Sequence, residues 1–364
     1  MAHHIGPSLQ EFCLFYATLL SYEEVADLVE RVTGEPLISD QCVWDIVHRK
    51  ACALSRGLQE NVSHAQEQMP PVAERIDVYS HEPEVLLYAD AILVTRQKSE
   101  RSRSEHEATL GGNAPPGGLR SPSTPPLGNL KSKATASGRV STDVMMLQQK
   151  DGDFRYLTGG ITPYGQELVS IEEATKAFLR QEYGMQRDDR TTEPLNVVAI
   201  TDGASSIRSQ LLGIFGHPIP VILDWFHLRK KLHEKMSMIA RNKSEKQEHV
   251  KSIARLLWQG KVEEAKHYLE RDVVCRNDRA REELLGYLEK HAEEIIDYEK
   301  RRAAGKTIGS GPVENGVDQI VGQRQKQKAM SWSDRGSKAL AILETTILNR
   351  EWKKLWQLPL TVTA

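Results

Sequence analysis

The chain has 364 residues, a length that allows two or three domains with a well-buried core. Charged residues make up 27% and hydrophobic residues 39%, as in ordinary soluble proteins, and no apolar run is long enough to cross a bilayer. The net charge of −2 gives no overall indication of nucleic-acid binding, which a strongly basic chain would give.

Targeting signals and cysteines indicate the compartment. The N-terminus lacks a basic region followed by an apolar stretch, so no secretory signal is predicted. The four cysteines form no C-x-x-C pair and indicate neither a zinc knuckle nor a disulfide framework. We therefore expect a protein of the reducing cytoplasm with no membrane attachment.

Residues 1–75 carry the signals of helices. Ser21-Tyr-Glu-Glu24 is a capping box, apolar residues follow it at helical spacing, and Gly34 ends this helix. Ser39 can cap a second helix after a short connection. Two helices with this spacing are typical of a helix-turn-helix DNA-binding region, although a plain helical hairpin gives the same pattern.

A strand is predicted at Val85–Thr95, with Asp90 in its middle. A carboxylate in so apolar a strand is costly to bury unless it is paired or binds a metal. Residues 99–138, which follow, are rich in Ser, Gly, Pro and charge and cannot support a core. We predict that they form a disordered insert in the loop between the first two strands and do not separate domains.

Strands and helices then alternate. Two strands are predicted after the insert, followed by a helix from Ser170, a strand ending at Asp202, another helix and a strand ending at Asp224. This order places antiparallel strands first and parallel crossings afterwards, and it predicts an α/β fold with a mixed sheet. The predicted parts are a helical region at 1–75, the first part of an α/β domain at 80–226, an all-α insertion at 227–303 and the last part of the α/β domain at 304–358.

Basic residues are concentrated in two segments. Between Phe226 and Arg255 there are nine Lys or Arg against three acidic residues, and between Arg301 and Lys338 there are eight against three. Such local fields can bind phosphate groups although the whole chain is near neutral. Solvated helix faces would show the same clusters.

The stretch TIGSGPVENG, at Thr307–Gly316, places one carboxylate behind a turn rich in Gly and Pro. If Gly311 is the N-cap of a helix, Pro312 occupies its first turn and Glu314 complements the helix dipole. Helix capping and a functional role for the carboxylate are both compatible with this local sequence.

Three carboxylates form a candidate metal site: Asp90, Asp202 and Glu314. The two aspartates would converge if their strands are neighbours in the sheet, and a helix after the last strand can bring Glu314 over the same point. Carboxylates that close repel one another, and Mg²⁺ or Mn²⁺ removes this penalty. Two such ions about 4 Å apart can activate a water or a 3′-hydroxyl and stabilise the leaving oxygen.

At these residues the sequence resembles a known family. The segments AITDGASSIRSQLL, PVILDWFHLRKKL and TIGSGPVENGVDQIVGQRQKQKAMSWSDRGSKALAIL are similar to D-D-E insertion-sequence transposases. The similarity is greatest to the ISKra-type group, which is related to Mutator-like transposases, and it is strongest over residues 195–356. The first Asp of the family is usually followed by Gly, whereas Ala91 follows Asp90 here.

The resemblance implies a ribonuclease H-like sheet in which Asp90, Asp202 and Glu314 bind two Mg²⁺ or Mn²⁺ ions. It implies DNA cleavage at the transposon ends, followed by strand transfer into target DNA. Asp224-Trp-Phe-His227 matches the family's [C/D]-x-x-H element, which would place His227 near the reacting phosphate. From the residues alone, a capped helix start with the imidazole packed below it is the alternative. The family acts on transposon inverted repeats and target DNA as dimers or larger synaptic assemblies.

Several residues of the two basic segments are candidates for DNA contacts. Trp332 could stack on a flipped or frayed base, or could be a core tryptophan beside Met330. Two other functions remain open: a nuclease of the same fold, and a decayed or domesticated transposase that only binds DNA. The candidate phosphate contacts are Arg229, Lys230, Lys231, Arg324, Lys326 and Lys328.

Overall fold

The structure is a computed structural model that describes residues 5–71, 73, 77–97, 138–184, 195–309, 311, 323–326 and 330–356. The proposed insert at 99–138 and Glu314 lie outside these residues, apart from Gly138. The described chain combines a mixed β-sheet with helices on both faces, which confirms the predicted α/β class. None of its helices combines the length and apolarity needed to span a membrane.

The chain begins with three helices that form as their capping residues predict. In the second helix, Ser21 Oγ accepts a hydrogen bond from the Glu24 amide at 3.1 Å, and the Glu24 carboxylate accepts one from the Ser21 amide at 2.7 Å. Gly34 ends this helix with a positive φ of 78°. The bounds are α1 Pro7–Ala17, α2 Tyr22–Thr33 and α3 Asp40–Ala65.

The sheet contains five strands in the order β3-β2-β1-β6-β7. Strand β2 is antiparallel to β1 and β3, whereas β1, β6 and β7 are parallel. The strands are β1 Val85–Thr95, β2 Arg139–Gln148, β3 Phe154–Leu157, β6 Val197–Thr201 and β7 Val221–Leu223. The prediction that the strands of Asp90 and Asp202 are neighbours is confirmed. A small separate hairpin, not predicted, is formed by β4 Gly160–Ile161 and β5 Glu167–Val169.

Alternating side chains of the sheet enter two separate cores. Leu87 and Ala89 of β1 pack on one face, under the helices α4 (Ile171–Tyr183) and α5 (Ser205–Phe215). Leu86 and Tyr88 pack on the other face, which the remaining helices cover. The strand sequence therefore buries both faces, as expected for the centre of a three-layer α/β domain.

The segment after β7 is helical, as predicted for 227–303. Its helices pack on one another through an aromatic cluster in which the Trp225 ring centroid lies 4.9 Å from that of Trp258 and 5.1 Å from that of Tyr298. The Tyr298 hydroxyl ties this cluster to the sheet by donating to the Leu223 carbonyl of β7 at 2.7 Å. The bounds are α6 Trp225–Ile239, α7 Lys243–Trp258, α8 Val262–Arg271, α9 Asp278–Lys290 and α10 Tyr298–Ala303. A short turn of helix, α11 Gln323–Gln325, precedes α12 Asp334–Leu348 and α13 Trp352–Trp356.

The N-terminal helices share a core with the α/β domain. Helix α3 packs against α4, α12 and the β4–β5 hairpin, and Ser55 Oγ accepts a hydrogen bond from the Ile161 amide at 2.9 Å. Trp352 Nε1 donates to Glu11 Oε1 at 2.7 Å and ties the last helix to the first. Within the described residues, three helices between Pro7 and Ala65 agree with the helical region predicted at 1–75, but α1–α3 are not a separate lobe. Whether they contact DNA stays a prediction.

Candidate active site

Asp202 lies in the turn that follows β6 and is exposed to solvent. Its Oδ1 accepts a hydrogen bond from the Ala204 amide at 2.9 Å, and Thr201 Oγ1 accepts one from the Gly203 amide at 3.2 Å. Gly203 has a φ of 87°, which favours glycine, and helix α5 starts two residues later. The turn therefore ends a buried strand with an accessible carboxylate.

The backbone of Asp90 lies beside that of Asp202. Strands β1 and β6 are parallel, and Ala89 is the register partner of Thr201. Asp90 and Asp202 each come directly after one member of this pair, so both lie at the same end of the paired stretch of the two strands. On the other side of β1, Asp90 pairs with Val144 of β2. Neighbouring strands are about 4.8 Å apart, so the two aspartates are adjacent in the backbone. Their joint binding of ions stays a prediction.

A second acidic residue, Asp224, follows β7 and is fully buried. Its amide donates to the Thr201 carbonyl at 2.8 Å, and its Oδ1 accepts from the His227 amide at 2.8 Å, which caps helix α6. The Nδ1 of His227 lies 3.6 Å from the same oxygen. The D-x-x-H element is thus a helix cap, and it also brings the half-buried His227 to the side of Asp202.

Asp202 and His227 line a cleft of about 230 Å³ together with Lys230, Lys231, Glu234 and Tyr287. The Lys231 Nζ lies 5.8 Å from the centroid of the Tyr287 ring. Burial, and then the negative charges of Asp202, Glu294 and Asp224, raise the pKa of Tyr287 to about 12. The phenol therefore keeps its proton at neutral pH and can donate a hydrogen bond into a cleft that also contains two cations.

The start of the TIGSGPVENG stretch packs beside this cleft. The Ile308 carbonyl accepts a hydrogen bond from the Trp225 amide at 3.3 Å. A Cβ added at Gly309 would lie 2.7 Å from the Phe226 ring and 3.4 Å from Asp224 Oδ2. The chain is therefore held against the first turn of α6 five residues before Glu314, which itself lies outside the described residues.

The structure corrects two of the predicted DNA contacts. Arg324 is only 2% exposed, and burial lowers the pKa of its guanidinium, which lies 4.9 Å from the Trp332 ring centroid. Trp332 is 6% exposed, and its Nε1 donates to the Gln325 carbonyl at 3.1 Å. Both residues belong to the core beside α2 and α12, since the Arg324 guanidinium lies 5.9 Å from the Tyr22 ring centroid and the neighbouring Gln325 Nε2 donates to the Ser337 carbonyl at 3.2 Å. The interpretation of Trp332 as a core residue is the one that fits.

The other candidate contacts differ in their positions. Arg229, Lys230 and Lys326 are exposed, and Lys231 is half-buried in the wall of the cleft. Lys328 lies outside the part of the chain that the structure describes. Two cations of the first basic segment, Lys230 and Lys231, therefore lie beside Asp202.

A buried polar cluster below the cleft has no counterpart in the sequence interpretation. His291 Nδ1 lies 2.5 Å from Glu294 Oε2, and Arg208 Nε donates to Glu294 Oε1 at 2.5 Å. Residues from α5 and from the turn after α9 meet here, more than 80 positions apart in the chain. A local pattern carries no signal for such a contact.

A carboxylate site for Mg²⁺ or Mn²⁺ would depend on all three candidate acids. Within the described residues, no group of three or more His, Cys, Asp or Glu side chains is arranged to hold a metal ion. Of the three candidate acids, Asp202 is the one whose side chain the structure describes, and it is an exposed carboxylate, the donor type that these hard cations prefer. Asp202 is compatible with such a site, and the contributions of Asp90 and Glu314 stay predictions.

Comparisons of this chain with protein-family models, with curated proteins and with solved structures return no match.

Proposed function

We propose that the protein is a D-D-E transposase with a ribonuclease H-like catalytic domain, which cleaves DNA at transposon ends and joins them to target DNA. The observation that carries the proposal is the parallel pairing of β1 with β6, which ends at Ala89 and Thr201, the residues that come directly before Asp90 and Asp202. An antiparallel β3-β2-β1 meander continued by parallel β6 and β7 is the strand order that a ribonuclease H-like domain requires.

The proposed metal ligands are Asp90, Asp202 and Glu314. Their oxygen donors suit two Mg²⁺ or Mn²⁺ ions. The chemistry that such ions supply when bound is activation of a water or 3′-hydroxyl and stabilisation of the leaving oxygen. Asp202 meets the first requirement of a ligand, since it is exposed at the end of its strand.

The remaining residues of the cleft act on the phosphate. Lys230 and Lys231 balance its negative charge at close range, while Tyr287 donates a hydrogen bond from a phenol that remains protonated. His227 borders the cleft through a side chain that is one-third exposed and oriented by Asp224. Together these groups hold a phosphodiester beside Asp202 and leave the attacking group to approach from solvent.

DNA affinity beyond the cleft comes from the exposed basic residues. Arg229 and Lys230 extend from the cleft along α6, and Lys326 belongs to the second basic segment. Phosphate contacts of this kind make binding weaker as salt concentration rises. Two DNA ends must be brought together for transposition, and we therefore expect a dimer or larger assembly on DNA.

The function is tested with the full chain and DNA that carries the inverted repeats flanking its coding region. The wild type should cut these ends and join them to a target plasmid with Mg²⁺ or Mn²⁺, and a chelator should stop the reaction. Asp202→Asn should retain DNA binding but lose joining by orders of magnitude. The exposed Asp272, replaced by Asn in the turn after α8, is the matched control and should join DNA normally.

The same assay separates the other functions. Cleavage of structured nucleic acid with no joined product would identify a nuclease of the same fold. Binding without metal-dependent cleavage would identify a DNA-binding derivative. Either result would overturn the proposal of transposition.

A further inference from the structure

The buried residues His291 and Glu294, which the exposed Arg208 covers, lie against the turn that carries Asp202. A Cβ added at Gly203 would lie 2.7 Å from His291 Cε1 and 3.2 Å from His291 Nε2. His291 is only 1% exposed, so its ring is fixed in the wall behind this turn. His291 consequently occupies the space between the turn and the helical insertion.

The ring of His291 is itself held from two sides. Its Nδ1 donates to Glu294 Oε2 at 2.5 Å, and its centroid lies 4.7 Å from that of Tyr287. Burial raises the pKa of Glu294, but hydrogen bonds from His291 and Arg208 outweigh it and the net shift is downward. Glu294 is therefore ionised at neutral pH and is a strong acceptor for both donors.

The same segment also contacts the second acidic turn. The Glu294 carbonyl accepts a hydrogen bond from the Leu223 amide at 2.9 Å, one residue before Asp224. Arg208, on the first helix after Asp202, reaches the Lys290 carbonyl at 3.1 Å. Residues 290–294 thus join the ends of β6 and β7, although they belong to the helical insertion.

We infer that His291, held by Glu294 and Arg208, is a positioning residue for the Asp202 carboxylate. The inference rests on the proposed function, and it makes the helical insertion part of the catalytic site as well as a DNA-binding surface. Outer residues that orient a metal ligand typically change metal affinity or activity by about 10–100-fold when they are replaced. His291 acts one step further out, through the backbone of Gly203.

The test compares His291→Leu, which removes the donor to Glu294, with His291→Asn, whose amide nitrogen can replace Nδ1. Three quantities are measured on the full chain: Mn²⁺ affinity without DNA, the NMR signal and hydrogen exchange of the Ala204 amide, and melting temperature. His291→Leu should weaken Mn²⁺ binding about 10-fold, the lower end of this range because it acts indirectly, and speed exchange of the Ala204 amide, which donates to Asp202. His291→Asn should restore both to within a few-fold of the wild type.

Two further variants control for folding. His48→Gln replaces an equally buried histidine, 1% exposed, on helix α3, and should lower stability without changing Mn²⁺ affinity or the Ala204 signal. Arg208→Met should fold even if His291→Leu does not, because the Arg208 side chain is 44% exposed. It should weaken Mn²⁺ binding several-fold through the loss of the Arg208 contact with Glu294.

A lower melting temperature with unchanged Mn²⁺ affinity and an unchanged Ala204 signal, in His291→Leu or in Arg208→Met, would overturn the inference. A different result would overturn the proposed function. A wild type that neither binds Mn²⁺ nor joins DNA would overturn the function. The metal-free Ala204 signal in the variants would still decide whether His291 positions the Asp202 turn.

Discussion

Single residues at the cleft are constrained by close contacts as much as by chemistry. Gly203 combines a φ of 87° with contacts on the side where a Cβ would point, 2.7 Å from His291 Cε1 and 2.9 Å from Leu223 Cδ1. Gly216 has a similar φ of 74°, but nothing lies within 4 Å of an added Cβ. Gly203 is therefore required by its backbone conformation and by lack of space for a Cβ, whereas Gly216 is required by its backbone conformation alone.

We expect Gly203→Ala to lower the free energy of unfolding by about 2–4 kcal/mol, from left-handed backbone strain and from overpacking. Gly216→Ala should cost only about 1 kcal/mol, since the strain acts alone. Denaturant unfolding of both variants measures the difference. Equal decreases in the free energy of unfolding would mean that His291 and Leu223 move aside for the added methyl group at no energetic cost.

Glu314 is the residue for which capping and catalysis make opposite predictions. Glu314→Gln keeps the size of the side chain and removes its charge, so stability should change by less than about 1 kcal/mol. DNA joining should fall by orders of magnitude while DNA binding persists, because phosphate contacts come from other residues. Normal joining with a markedly lower melting temperature would identify Glu314 as a helix cap.

At the scale of elements, the sequence predicted what depends on near neighbours. The helices begin at Ser21, Ser39 and Ser170 as expected, because each cap bonds an amide only three residues away. The adjacency of β1 and β6 was expected from the ribonuclease H-like sheet that the family resemblance implies, and the strand pairing agrees with it. The merging of α3 with the α/β core did not, because an amphipathic helix does not indicate which surface will cover it.

A buried ion pair fixes the start of β1 and had no local signal either. Arg301 is fully buried and its guanidinium binds both carboxylate oxygens of Glu84, at 2.6 and 3.2 Å, across 217 positions. The same guanidinium donates to the carbonyls of Val78 and Thr307, both at 2.7 Å. The Arg301 side chain therefore joins Glu84, directly before the start of β1, to Thr307, in the segment that leads to Glu314.

Arg301→Met should lower the free energy of unfolding by about 3 kcal/mol, the lower end for a broken buried pair. The lower end applies because Lys306 Nζ remains 3.4 Å from Glu84. Arg301→Lys should recover little, since an ammonium cannot bind the carboxylate and two carbonyls at once. Replacing the exposed pair of Arg279 and Glu283 is the control and should change the unfolding midpoint very little. A similar small change in Arg301→Met would contradict the structural role.

At the scale of the whole molecule, strands β1 and β2 pair up to the two ends of the segment that connects them. Thr95 and Arg139 are register partners, and the Arg96 amide donates to the Gly138 carbonyl at 2.9 Å. The two ends of this connection are thus already in contact. Its composition, rich in Ser, Gly, Pro and charge, provides little apolar surface to offset the entropy of ordering.

Replacing residues 98–137 with a short Gly-containing turn should therefore leave the melting temperature nearly unchanged. The hairpin of β1 and β2 needs only a tight turn to connect strands that are already paired. Differential scanning calorimetry of the shortened and full chains provides the comparison. A large drop in melting temperature would show that the segment packs against the domain.

The contacts of residues 290–301 with β1, β6 and β7 also determine the order of events during synthesis. A nascent chain that has emerged as far as Leu223 already contains every strand of the sheet. It lacks Glu294 to bond the Leu223 amide, Tyr298 to bond the Leu223 carbonyl at 2.7 Å, and Arg301 to hold Glu84. Contacts across such separations form late because long loops must close first. We therefore expect the Asp202 turn to reach its final shape only after residues 290–301 have left the ribosome, and shorter fragments to contain the aspartates without the contacts of His291 and Glu294.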